Sequence, residues 1–418
     1  MSEPELQSFL ASLGSALGAI GETVDEVERR LASIARAYGL PDARFSVFST
    51  ALLLTLGQGQ AATIEPTTRL SATPRLDQIA AVHALAEEAE RGLVVPAEGI
   101  TRLEEIRRMG SRFGTVPGIL GYATLSVGIA LILHPTARGI VVAALLGAFV
   151  GVLRRAGRGR RTIEVLMPFI AAFGVAVITA LLVKHDVTDP GLDVMIAALV
   201  VFVPGVALTT AFLELTEGQM IAGSSRLVWA VTQLGLLAFG IVTGIGAVGI
   251  SAQRVFASSD AVLGWWAPWV GVLIFAIGVT VAHSAPPAAF PSLLLVLYAA
   301  WAGQSVGNEL FGGYASGFIG GIVMTLVAYF LARLPSTMPV YAMFLPGFWL
   351  LVPGAVGLVG LTTTLATPEA VANEETLLTV AGSIVAVALG VLCGVELYDW
   401  LTAASERARG LGFRRSDT

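Results

Sequence analysis

Residues 201–215 read VFVPGVALTTAFLEL, and residues 350–364 read LLVPGAVGLVGLTTT. Both stretches are apolar enough to sit in a bilayer, and each carries a Pro-Gly pair, at Pro204–Gly205 and Pro353–Gly354. Proline has no backbone N–H to give and frees the carbonyl one turn earlier, here near Val200, while glycine lets the chain turn or another group approach. In hydrocarbon an unpaired backbone group is costly, so irregular backbone survives only when buried in protein or lining a wet cavity. Two interrupted apolar segments therefore predict an α-helical polytopic membrane protein with broken helices.

The composition agrees. Of 418 residues, 55% are hydrophobic and 13% charged, against about 25% charged in soluble domains, and mean hydropathy is +0.78. A net charge of −5 with no clustered basic face excludes a nucleic-acid partner. The single cysteine, Cys393, excludes an internal disulfide framework and multi-cysteine metal sites. The histidines (His83, His134, His185 and His283) are scattered without metal-binding spacing, so neither metal nor cofactor is expected. Lys184 stands alone against 24 arginines, which with abundant Ala and Gly suggests a GC-rich bacterial genome.

Residues 1–113 hold 15 of the 30 acidic and 11 of the 25 basic residues. MSEPELQSFL has neither the basic nor the apolar region of a signal peptide, so 1–113 is expected as a soluble domain on the cytoplasmic side. Leu10, Leu13, Leu17, Ile20, Val24, Val27, Leu31 and Ile34 recur at spacings of three and four. That spacing predicts an amphipathic helix or helix pair, packed on its own domain or joining a second copy as a homo-oligomer. RFSVFST, ALLLTL and AATIE read as short strands, with GQGQ (57–60) as a turn, and helices follow over 74–92 and 96–110. The sum is a small α+β domain whose acidic helix faces are solvated and whose His83 is a surface or packing residue.

Charge-free windows then run over 114–133, 139–153, 165–183, 194–213, 227–253, 261–282, 284–308, 310–332, 334–368 and 376–395. A span needs about 20 apolar residues, and the short second window is extended by arginines that snorkel. Ten transmembrane helices result, in two sets: 114–253 and 261–402, with a cytoplasmic tail over 403–418. Arginine bias sets the orientation. With the N-terminus inside, RRAGRGRR (154–161), Arg226, Arg333 and the C-terminal arginines all fall on the cytoplasmic side. Both termini are thus expected in the cytoplasm of a bacterial inner-membrane protein. Trp265, Trp266 and Trp269 fit an interfacial belt.

A shift of 149 residues carries Pro204–Gly205 onto Pro353–Gly354, and windows 114–133, 165–183 and 194–213 onto 263–282, 314–332 and 343–362. Five helices per half force the second half to enter the membrane the opposite way. A 5+5 inverted repeat with a broken helix in matching positions is a secondary-transporter signature. After Pro204 a new half-helix can begin, and its unpaired N–H groups can hold a carboxylate. Candidate binding groups are therefore Pro204, Gly205, Thr209, Thr210, Pro353, Gly354 and Thr362. Candidates for proton coupling are Glu214 and Glu217 at the cytoplasmic end of the fourth span, and Asn308 and Glu309 in the glycine-rich loop GQSVGNELFGGYASG. Glu164 is expected to pair with the neighbouring arginines. Nothing suggests catalysis: residues 1–113 hold one histidine and no cysteine.

The stretch VPGVALTTAFLELTEGQMIAGSSRL (203–227) resembles the signature of the bacterial threonine/serine exporter (ThrE-type) family, and GETVDEVERRLASIARAYGL (21–40) resembles that family's cytoplasmic domain. The resemblance implies an exporter of threonine and serine driven by the proton motive force, with protons and the lipid bilayer as its other partners. The alternatives are export of another small metabolite, or a membrane receptor or sensor whose N-terminal domain is the output.

Overall fold

The computed structural model of the chain describes residues 3–48, 51–56, 63–66, 74–133, 136–189, 191–256, 263–334, 337–351, 358, 360, 362–363 and 374–413. The fold is mostly helical with one small sheet. The heptad-like run at the N-terminus forms two helices, α1 (Glu3–Ile20) and α2 (Val24–Ala37). The chain reverses between them at Gly21, whose φ of 102° disfavours any side chain. Thr23 caps α2 by accepting from Glu26 N–H, and Asp25 and Glu26 sit at the positive end of its dipole. Three antiparallel strands follow in the order β1 (Arg44–Val47), β2 (Ala51–Thr55), β3 (Thr63–Pro66), with Phe45 opposite Leu54 and Leu53 opposite Ile64. Leu52 and Leu54 alternate with partly exposed neighbours and face the core. Helices α3 (Leu76–Glu90) and α4 (Pro96–Arg108) complete this unit.

Among the described residues, seven helices beyond it are long and apolar enough to cross a membrane. Their helices are α5 (Thr115–Ile132), α6 (Ala137–Gly157), α7 (Arg161–Lys184), α10 (Met220–Val248), α13 (Phe290–Phe311), α14 (Gly313–Ala332) and α16 (Glu374–Phe413). An eighth apolar segment is the bent pair α8 (Leu192–Leu199) and α9 (Gly205–Thr216). Two further apolar helices, α12 (Ala267–Ala282) and α15 (Val340–Leu351), are shorter, and α11 (Ala252–Phe256) is a single short turn.

Helix α5 packs on α12, α7 on α10, and α14 on α16. Glycines let these backbones touch. A Cβ on Gly240 or Gly244 of α10 would strike the carbonyl oxygens of Phe169 and Phe173 on α7. One on Gly390 or Gly394 of α16 would meet those of Phe318 and Ile322 on α14. Small residues four apart draw helices together where apolar burial gives no driving force between them. The sequence carries this signal as GIVTG (240–244) and GVLCG (390–394), which hydropathy windows pass over. The two glycine pairs are related by a shift of 150 residues and the residues they face by a shift of 149.

One expected loop is helical. Residues 303–317 belong to α13 and α14, and the chain turns between them at Gly312, with φ of 79°. A single glycine in the left-handed region suffices for that turn, so no glycine-rich loop is needed.

Candidate functional site

The break at Pro204 has a defined anatomy. After α8 the chain tightens into a 3-10 turn over Val200–Phe202. Val203 N–H donates to Val200 O at 3.1 Å and Gly205 N–H donates to Val203 O at 2.9 Å. The first bond of α9 runs from Leu208 N–H to Pro204 O at 3.0 Å, and the two helix axes bend by 61°. Two expectations are thereby corrected. The Val200 carbonyl is not free, because the 3-10 turn takes it. Gly205 N–H is also engaged, so the donors at the open end of α9 belong to Val206 and Ala207.

Helix α9 packs on α10 and also on α15 and α16. Thr209 and Thr210 are buried on it, and the Thr209 hydroxyl makes no hydrogen bond. The Thr210 hydroxyl stands beside that of Tyr341 on α15. Glu214, one of the expected titrating groups, is fully buried. Its carboxylate lies 3.0 Å from Arg226 Nε on α10 and accepts Val24 N–H from the start of α2 at 3.2 Å. Arg226 Nη2 in turn donates to the Glu22 carbonyl at 2.9 Å. Tyr341 closes the same contact, since its hydroxyl fills the space where Gly21 would carry a Cβ. The α1–α2 turn is therefore clipped onto the end of the broken segment.

Behind that turn lies a second polar group. The Glu22 carboxyl is 3% exposed, and its Oε1 lies 3.3 Å from His83 Nδ1 and 3.6 Å from Arg30 Nε. Arg30 is shared with Glu26 at 2.9 Å and Glu90 at 3.6 Å. Burial pushes the Glu22 carboxyl up to about 8 against the opposing pull of Arg30. Burial, reinforced by Arg30, pushes His83 down to about 3. Near neutrality Glu22 therefore holds a proton and His83 does not. Of the two readings of His83, surface or packing, the structure shows the packed one, beside a carboxyl from another element, and not every acidic residue here is solvated.

The remaining candidates separate. Glu217 caps the end of α9 and is exposed. Asn308 and Glu309 are exposed in the last turn of α13, so they do not join the buried cluster. Thr362 is fully buried with its hydroxyl unpaired. Pro353 and Gly354 lie outside the described residues. Glu164 accepts Gly159 N–H at 3.1 Å.

A shallow cavity opens between the start of α5 and the end of α6, lined by Ser111, Thr115, Arg154, Arg155 and Arg158. The Arg154 guanidinium lies 5.3 Å from the Phe202 ring, two residues before the break, and 5.4 Å from the Tyr122 ring. Sequence reading treated these arginines as orientation signals and as partners for Glu164, not as neighbours of the break. Among the described residues no group of His, Cys, Asp and Glu is placed to hold a metal ion.

The family model described as "ThrE: Putative threonine/serine exporter" matches residues 8–247, more than half of the chain and including both the clipped turn and the broken segment. The chain belongs to the ThrE family. No curated protein and no solved structure matches it. As a ThrE member with several bilayer-length apolar helices, it is a membrane protein of a transporter family.

Proposed function

We propose that this ThrE member is a secondary transporter that exports threonine, serine or closely related hydroxylated amino acids in exchange for protons. It works by alternating access of two oppositely threaded five-helix halves in a bacterial inner membrane, with both termini in the cytoplasm. The observation that carries this reading is the bent segment at Pro204, whose second half α9 packs at once on α10 and on α15 and α16. The matched glycine pairs on α10 and α16 support the repeat. In this reading the solute carboxylate meets the N–H groups at the open end of α9, drawn in past Arg154. The hydroxyls of Thr209, Thr210 and Thr362 serve the other end of the solute. Glu214 anchors the moving end.

The test is flux of labelled threonine and serine in proteoliposomes under an imposed pH gradient. The double substitution Pro204→Ala, Gly205→Ala is expected to abolish flux while the protein still inserts. Wild-type flux from that variant would defeat the proposed site, and no flux of either amino acid through the unaltered protein would defeat the substrate assignment.

A further inference from the structure

Proton exchange needs a buried carboxyl whose exposure changes with conformation, and the broken segment itself does not present one that is unengaged. Glu214 is held from both sides by Arg226 and by Val24 N–H, which suits a clamp. Resting on the transport reading above, we propose that Glu22 carries the exchanged proton, and that the turn it occupies, residues 21–24, is the latch tying proton release to movement of the broken segment.

Three observations converge on this assignment. The latch touches both helix sets: Arg226 of α10 and Glu214 of α9 bind its backbone, and Tyr341 of α15 packs against Gly21. The Glu22 side chain is buried with Oε2 lacking any hydrogen bond, and both ring nitrogens of His83 are likewise unpaired, though Nδ1 lies 3.3 Å from Glu22 Oε1. Buried polar atoms without partners in one place are rare in native proteins and mark sites that do something besides hold the fold together. The charges around Glu22 are, moreover, already engaged. From α2, Arg30 is divided among Glu22, Glu26 and Glu90, and Arg29 pairs with Glu26. From α3 come the neutral His83 and the carboxylate of Glu90, which faces Arg30 and disfavours a second negative charge on Glu22. Arg226 turns its guanidinium to the Glu22 carbonyl and to Glu214.

A carboxylate so placed would be buried, ionised and short of donors, so the docked latch favours the acid form. When the latch lifts from α9 and α10, water reaches Glu22, its O–H bond breaks and the proton passes to water on the side of the N-terminal unit. No electron transfer is involved. Because the same turn grips Glu214 at the end of α9, release of the proton and displacement of the broken segment are one event.

The test uses the full-length protein in proteoliposomes and reads two signals. Infrared difference spectra should show a protonated carboxylic acid near neutral pH that disappears as pH rises through about 8, and Glu22→Gln should remove that band. Glu22→Gln should also lose gradient-driven threonine flux while retaining exchange of labelled for unlabelled threonine at equal pH. A band unaffected by Glu22→Gln, or gradient-driven flux with the wild-type pH profile, overturns the assignment. If Glu22→Gln does not accumulate folded, His83→Asn replaces it: the band must then titrate at a different pH, and an unmoved midpoint overturns the assignment. Absence of flux through the unaltered protein overturns the transport reading and this role with it; that failure is distinguishable because the band still responds to Glu22→Gln.

Discussion

Arg226→Ala removes the cation that pairs with Glu214 and the donor to the Glu22 carbonyl in one step. At the observed 3.0 Å, two unit charges attract by about 5 kcal/mol at an effective dielectric of about 20. The Arg226 side chain is 20% exposed, so solvent screening lowers the loss to about 3 kcal/mol, near the low end for breaking a buried pair. That corresponds to about a 100-fold rise in the population of the lifted latch. Hydrogen exchange read by mass spectrometry on a peptide spanning residues 21–27 measures it directly, because Val24 N–H is one of the bonds that holds the latch. Arg226→Ala should accelerate exchange by about 100-fold. Adding Glu214→Gln should bring the rate back to within about tenfold of wild type, since a neutral amide no longer leaves a charge buried alone. Equal exchange in the single and double variants, or no change in either, would refute the clip.

Two further outcomes follow from the same structure. Gly240→Leu and Gly390→Leu should each lower the apparent Tm of the detergent-solubilised protein sharply, because the new side chain meets a neighbouring backbone carbonyl, whereas Gly235→Ala, which faces open space, should be close to neutral; equal effects would deny the close helix contacts. Stability should also pass through a maximum with pH. The raised Glu22 contributes stability that is complete below about 4.5 and lost as pH rises through about 8, and the lowered His83 contributes stability that is complete above about 6.5 and lost as pH falls toward about 3. Apparent Tm across pH should therefore fall on both sides of that window, and Glu22→Gln should remove the alkaline fall alone; an unchanged alkaline limb would contradict the buried acid.

The break at Pro204 was readable from sequence because its cause is local. A missing N–H interrupts a helix wherever it occurs, and the structure bends there by 61°. The helix pair at the N-terminus, the three strands and the long apolar helices were readable for a similar reason, since periodicity and run length act within one element. Asn308 and Glu309 misled because glycine-rich sequence looked like a loop, while close packing between α13 and α14 kept it helical. The contact between His83 and Glu22 was not readable, because Glu22 lies in a different element, where sequence spacing carries no information.

What the sequence alone determined is thus the membrane class, the interrupted helix and the family signature, all of which follow from backbone chemistry and apolar run length. Only the tertiary structure decided that Glu22, His83, Glu214, Arg226 and Tyr341 gather at one turn. Burial and pairing depend on which elements pack together: Glu214 reads as one of several coupling candidates and the others as ordinary surface or interface groups, and it is the packing of the α1–α2 turn on α9, α10 and α15 that brings them into contact.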